Sequence, residues 1–375
     1  GANAIRTYGL GSIAADMAKA EAYGMGVFAG HWISHSAASF SDESYKATAR
    51  SELIAAIEAH KDSPALVAWV LGNEVNLGHS AAEMAAAWAF IEELAQLVHE
   101  LDPEHPVMTV LAGTGADQIS EITAMVPSLD ALGMNSYGGI YGVGDAVNSS
   151  TFDGPFMVTE WGVNGFWERP STDWGRPIEE TSSEKRSNFS ERYAMMKSWN
   201  GYMGNFAFLW GFKQERTPTW FSITIEDESS TGRPDFLNGE FTSIADVLQT
   251  EWTGTAPEDL APDFSAIRIN GMTATASVVL TAGSTATATV DLDTHGESGF
   301  ITYHWELVRE IDPALYGFGG SAEPRPVTHA AYGPFTESTF TFTVPSDLAA
   351  AYEGEFRLFA YGFDAEDALG RKLMR

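Results

Sequence analysis

The chain of 375 residues contains no cysteine. Disulfide frameworks and thiol chemistry are therefore excluded, while the compartment is left open. Positive charge is scarce: 21 Lys and Arg stand against 51 Asp and Glu, a formal net charge of −30. A surface of that sign repels nucleic acid and anionic membrane, so neither is expected as a partner. It suits solubility or salty, extracellular surroundings, and a periplasmic or extracellular location is the accompanying expectation. No apolar run is long enough to cross a bilayer, and no charged-then-apolar leader opens the chain. Gly1 leads directly into strand-like sequence, so an upstream segment is expected to be missing. A G-x-G-x-x-G nucleotide loop is also absent, which removes the main support for a doubly wound open sheet. Aromatic residues, by contrast, are plentiful, with 11 Trp, 22 Phe and 12 Tyr. Many fall at expected strand ends, where sugar rings could stack their apolar faces, although core packing is the default for any one of them.

Two textures divide the chain. Up to about residue 252, short apolar runs alternate with helical patterns. The strand candidates are 3–9, 24–30, 65–72, 106–113, 129–137, 155–162 and 205–212. The strongest helix is 80–102, where Met84, Trp88, Ile91, Leu94, Val98 and Leu101 recur every three or four residues behind a Ser80 N-cap. Residues 45–61 and 184–203 also read as helices. Alternation of this kind predicts an α/β fold with a parallel sheet. Its strand count suits a (β/α)8 TIM barrel short of its first strand. Residues 253–263 form a linker rich in Pro and Asp. From 264 to 375, runs at 273–283, 285–293, 300–308, 338–344 and 355–363 predict a small immunoglobulin-like β-sandwich with Trp305 plugging its core. Asp291, Asp293 and Glu297 could hold calcium, but their spacing matches no EF-hand loop and an acidic turn is the simpler reading.

Two apolar runs carry the chemistry. AWVLGNEVN (68–76) and PFMVTEWG (155–162) each deliver a glutamate, Glu74 and Glu160, where a strand leaves the core. Parallel barrels build their active sites at that end. Two carboxylates meeting at one mouth are the minimum equipment for cleaving a glycosidic bond. A general acid must stay protonated near neutral pH, which burial and a nearby carboxylate promote. A nucleophilic carboxylate must be ionised and needs cationic or hydroxyl partners. Arg6, near Tyr8 on the first strand, and Tyr137, closing LGMNSY, could serve Glu160. Asn73 could hydrogen-bond a sugar hydroxyl, and Trp210 could floor the sugar. His31 and Trp32 follow GMGVFAG and would reach the same mouth. A metal at His31 and His35 lacks a third ligand at suitable spacing. Lys213, Gln214, Glu215 and Trp220, within WGFKQERTPTWF (210–221), either line subsites or form a salt-bridged loop.

Arg on the first strand, Asn-Glu on the third, Tyr on the fifth, Glu on the sixth and Trp on the seventh is an ordered set. It resembles the clan A retaining glycoside hydrolases over about residues 1–250. GANAIRTY, LGNE, NSYGG and VTEWG look most like the barrel of glycoside hydrolase family 2. IRTYG and GNEVN are similar to motifs of bacterial and plant β-1,3-glucanases. The resemblance implies Glu74 as acid/base and Glu160 as nucleophile supported by Arg6 and Tyr137. It further implies that Asn73 binds the sugar's 2-hydroxyl and Trp210 the ring at the cleavage point. Arg6, Tyr8, His31, Trp32, Asn135, Tyr137, Trp161, Lys213 and Trp220 are the other candidate substrate contacts, read from their places at or after strand ends rather than from the resemblance. The chain departs from that family in having no first strand and no N-terminal sandwich domains. The implied activity is retaining hydrolysis of a β-linked glucan, with β-1,3 the favoured linkage, no cofactor and no metal, and an oligo- or polysaccharide as partner. A non-catalytic carbohydrate-binding protein on the same barrel is the alternative.

Overall fold

The computed structural model describes residues 1–113, 115–226, 234, 237, 239–295, 301–317, 323–346 and 354–364. By contacts the chain falls into two compact units: residues 1–161 with 192–207, and residues 162–191 with 208–375.

The first unit holds seven strands: β1 (Ala4–Arg6), β2 (Gly26–His31), β3 (Leu66–Leu71), β4 (Val107–Ala112), β5 (Ala131–Asn135), β6 (Phe156–Trp161) and β7 (Tyr202–Ala207). They form one sheet in chain order, each pair parallel. Parallel neighbours need crossovers, and helices supply most of them: α1 (Ile13–Tyr23), α2 (Glu43–His60), α3 (Ala81–Leu101), α4 (Ala116–Met125), α5 (Val143–Ser149) and α6 (Ser182–Met196). The sheet curls into a nearly closed barrel. Phe28 on β2 meets Phe206 on β7 edge to face at 5.0 Å, and Arg6 on β1 donates to the Thr159 carbonyl on β6 at 3.2 Å. Between them, Val70, Met108, Val110, Ala131 and Met157 fill the interior.

All seven expected strands form. The last is shifted, ending at Ala207 rather than running on to 212, so Trp210 lies beyond the strand. Helix α3 matches its pattern, with Met84, Trp88, Ile91, Leu94 and Val98 buried. Glu83 caps it by accepting from the Ser80 N–H (2.8 Å) and hydroxyl (2.6 Å). Helices α1, α4 and α5 escaped the periodicity reading. In α1 the buried stripe is only Ile13, Met17 and Ala20, too thin for a clear apolar signal.

The second unit contains α7 (Ser243–Thr253) and six strands: β8 (Asp263–Ile269), β9 (Thr285–Asp293), β10 (Ile301–Arg309), β11 (Thr328–Phe335), β12 (Thr339–Thr343) and β13 (Phe356–Asp364). They make two antiparallel three-stranded sheets, β11-β10-β13 and β12-β9-β8. One core joins both, with Ala286, Ala288 and Val290 of β9 and Phe340 and Phe342 of β12 facing Tyr303, Trp305 and Leu307 of β10. Trp305 is fully buried and stacks on Phe340 at 5.5 Å, the plugging role expected of it. The run 273–283 is not a strand. A 3-10 turn at Ala274–Ala276 and a left-handed Ser277 (φ 49°) interrupt it. Asp291 pairs with Arg268 and Asp293 accepts from the His295 N–H, while Glu297 lies outside the described residues.

Candidate active site

Strand parity decides which side chains enter the barrel mouth. On β1, Arg6 faces inward, and Tyr8, two residues on, shares its face. Gly30 makes room for this: a Cβ there would collide with the Thr7 carbonyl. Its N–H also secures the approach by donating to Thr7 Oγ1 at 2.9 Å. After β3 the chain turns at Gly72 (φ 79°), whose N–H donates to the His31 carbonyl at 2.9 Å. Glu74 then adopts φ 53°, a left-handed conformation rare for a residue with a Cβ. Its N–H donates to the Val110 carbonyl at 2.9 Å.

Glu160 reaches the interior through a bulge. Met134 pairs with Val158 but Asn135 pairs with Glu160, so β6 spends two residues where β5 spends one. An extra residue reverses the alternation of faces. Met157 points inward before the irregularity, Thr159 is the extra residue and also points inward, and Glu160 points inward after it. Trp161 is thereby turned outward. It is fully buried against Tyr193 and donates its indole N–H to Asn205 Oδ1 at 2.8 Å. The expectation that Trp161 touches substrate is corrected by this parity change.

The buried Glu160 carboxylate is held on both oxygens. Tyr8 donates its hydroxyl to Oε1 at 2.8 Å, Tyr137 donates to Oε2 at 2.8 Å, and Arg6 Nη1 lies 3.3 Å from Oε1. Arg6 also covers the Tyr8 ring at 4.6 Å and donates through Nη2 to Asn73 Oδ1 at 2.5 Å. Asn135 Nδ2 lies 3.1 Å from that same Asn73 oxygen and 3.0 Å from Glu74 Oε1. Thr159 fixes the amide's orientation by donating to Asn135 Oδ1 at 2.8 Å. The two glutamates thus belong to one hydrogen-bonded network reaching from β1 to β6.

Burial, then the charge of Glu160, holds both phenols well above their ordinary value of 10.0. They remain donors, as a charged acceptor requires. Tyr8 as a whole residue is 39% exposed, but its hydroxyl donates to the buried Glu160. A raised native pKa means that the folded chain keeps these protons more tightly than the unfolded one. The stability they confer is fully present below about pH 10 and is lost as pH rises further. Thermal unfolding of the Tyr8→Phe/Tyr137→Phe variant should therefore show a flatter alkaline decline than the parent. Parallel curves above pH 10 would contradict the assignment.

Other expected site residues fall elsewhere. His31 is buried and turned outward by β2 parity, opposite to Phe28. Burial brings its pKa down to about 4, against the opposing effect of a hydrogen bond to the Ala49 backbone of α2. It faces the helical layer and not the mouth, a second correction. Trp32 is 43% exposed and lies against the His35 ring at 5.1 Å. His35, which the sequence offers only as a metal-ligand candidate, donates through Nε2 to the Asn73 carbonyl at 2.6 Å. No group of three metal-ligating side chains occurs among the described residues.

Within the second unit, Trp220 is buried against Phe166 and Phe221 and donates its indole N–H to the Asn164 carbonyl at 2.9 Å. It cannot present a face to a sugar, which corrects that expectation too. Lys213 pairs with Glu215 and lies over the Phe208 ring, the salt-bridged loop foreseen as one alternative. Trp210 is 64% exposed beside Phe241.

The nearly closed parallel barrel thus carries two networked glutamates at the C-terminal ends of its strands, the end where parallel barrels build their active sites. No family model matches the sequence, and no curated protein does. Solved structures are similar in fold. A β-glucuronidase from Bacteroides uniformis has a TM-score of 0.50 at 13% identity, covering 97% of this chain and 42% of that one. A β-glucuronidase from Bifidobacterium dentium, complexed with coumarin-3-O-glucuronide, has a TM-score of 0.44 at 19% identity over 59% of this chain and 38% of its own. A family 2 β-galacturonidase from Eisenbergiella tayi bound to galacturonate gives 0.48 at 16%, over 68% and 46%. This chain thus spans less than half the length of each of these three structures.

Proposed function

We propose that the protein is a retaining β-glycoside hydrolase acting on a β-linked glucan, with β-1,3 the favoured linkage. One observation carries the reading: Glu160 receives Arg6, Tyr8 and Tyr137 while Glu74 is tied to the same network through Asn135 and Asn73. Such surroundings suit one carboxylate for attack and the other for proton transfer. Glu160 attacks the anomeric carbon as Glu74 gives its proton to the departing oxygen. The leaving sugar departs with that proton, and a covalent glycosyl-enzyme forms. Glu74, now a carboxylate, takes a proton from water, whose oxygen displaces Glu160. A second sugar in place of water gives transglycosylation. In this reading Asn73 meets a sugar hydroxyl, and Trp32, 43% exposed, offers a stacking face. The barrel is assigned to residues 1–252, the linker to 253–263 and the sandwich to 264–375, with a place in the periplasm or outside the cell.

The test is a panel of β-1,3- and β-1,4-glucans with aryl β-glucosides and β-glucuronides, read by released reducing sugar or phenol. NMR of the first product should show retained β configuration. Release from β-1,4- but not β-1,3-glucan, or from glucuronides alone, would replace the substrate and leave the mechanism. Glucan binding without turnover on any member would favour the carbohydrate-binding alternative.

A further inference from the structure

The peptide unit joining Asn73 to Glu74 is clamped at both ends. Its N–H donates to the Val110 carbonyl of β4 at 2.9 Å, and its C=O accepts from His35 Nε2 at 2.6 Å. A peptide is planar, so fixing its two polar ends fixes the direction in which the chain enters Glu74. That matters because Glu74 stands at φ 53°, a conformation an L side chain adopts only when its surroundings impose it. Without the His35 contact the plane could rotate about its remaining bond, and the carboxyl would move away from Asn135.

His35 is itself supported. Its ring lies against Trp32 at 5.1 Å with a 32° tilt, and its backbone carbonyl accepts from His79 Nε2 at 2.5 Å. His79 Nδ1 lies 4.0 Å from Glu83 Oε2, the carboxylate that caps α3. Because a carbonyl only accepts, both histidines must carry a proton on Nε2. A short ladder therefore runs from the start of α3 through His79 and residue 35 to the carbonyl beside Glu74.

We propose that His35 is a positioning residue for Glu74, acting through the 73–74 peptide, with His79 as its support. The proposal rests on the reading of Glu74 as acid/base. It assigns His35 no contact with substrate and no proton transfer of its own. Loss of the clamp should harm the steps that need a proton from Glu74 and spare those that do not.

The variants are His35→Ala, which removes the donor, and His35→Gln, whose amide N–H reaches about as far as Nε2. Two aryl β-glycosides of one sugar are compared: one whose phenol must be protonated as it leaves, and one bearing an activated nitrophenol that leaves unaided. For His35→Ala, kcat on the first should fall on the order of a hundredfold with KM little changed. The pre-steady-state burst on the second should keep its rate. His35→Gln should recover most of the loss. Equal losses on both substrates, no loss, or no recovery by glutamine would overturn the proposal. If the parent protein hydrolyses no glycoside, the glycosidase reading itself fails, and crystal structures of the parent and His35→Ala decide the clamp. Glu74 leaving positive φ in the variant sustains it; Glu74 unmoved, with its Asn135 bond intact, overturns it.

Discussion

Replacing Glu160 by glutamine should lower hydrolysis by about 10⁵–10⁶-fold, the scale seen when a nucleophile is removed, while oligosaccharide binding survives. Glutamine keeps the volume and one acceptor oxygen. Tyr8 or Tyr137 can still donate to it, and Asn73 keeps its bonds to Arg6 and Asn135. What disappears is the negative charge and, under the proposed mechanism, the covalent intermediate. The Arg6 side chain, only 3% exposed, loses its ionic partner. Removing one partner of a buried pair costs about 3–5 kcal/mol, less where hydrogen bonds remain. The variant should accordingly unfold at lower temperature yet be folded in the assay, which circular dichroism checks. Isothermal titration with a glucan oligosaccharide should give affinities for parent and variant within a few fold. A parent that binds without cleaving, matched by a variant that does the same, would end the enzymatic reading.

The prominence of Glu160 was legible in sequence, but its reason was not. MVTE read as a strand ending in a carboxylate, and such runs are visible because buried parallel strands are continuously apolar. A regular strand would nevertheless have sent Glu160 and Thr159 to opposite faces. Only the bulge between Val158 and Glu160 brings both inside and turns Trp161 out, and no residue type announces a bulge. The same limit explains His31, adjacent in sequence to the mouth yet on the wrong face of β2. Trp220 belongs to irregular chain, where no periodicity distinguishes a buried indole from an exposed one. From sequence, Tyr8 stands only as a candidate sugar contact. Its bond to Glu160 depends on the β1–β2 approach that Gly30 allows, a close backbone contact of which the sequence shows only the glycine. The Arg6, Asn73, Glu74 and Tyr137 set was recoverable because each ends or follows a strand whose register is set by its apolar run.

Glu74→Gln should separate the proton-transfer role from every other property of the site. The change preserves size and the ability to accept from Asn135, and a glutamine sits at φ 53° no worse than a glutamate. Backbone geometry is therefore not the variable. For glycosides with poor leaving groups, turnover should fall about 10²–10⁴-fold, the usual contribution of general acid–base catalysis. Activated aryl glycosides should still form the glycosyl-enzyme at nearly the parent rate, because their phenolates need no proton. The covalent species should then accumulate, since no base remains to activate water, and mass spectrometry of the quenched protein should find Glu160 carrying a sugar. The parent's rate should fall at high pH as Glu74 loses its proton, and that basic limb should vanish in the variant. Addition of His35→Ala to Glu74→Gln should cost no further rate, because residues acting through one group do not add. Persistence of the basic limb, or equal loss for both leaving groups, would mean that another residue supplies the proton.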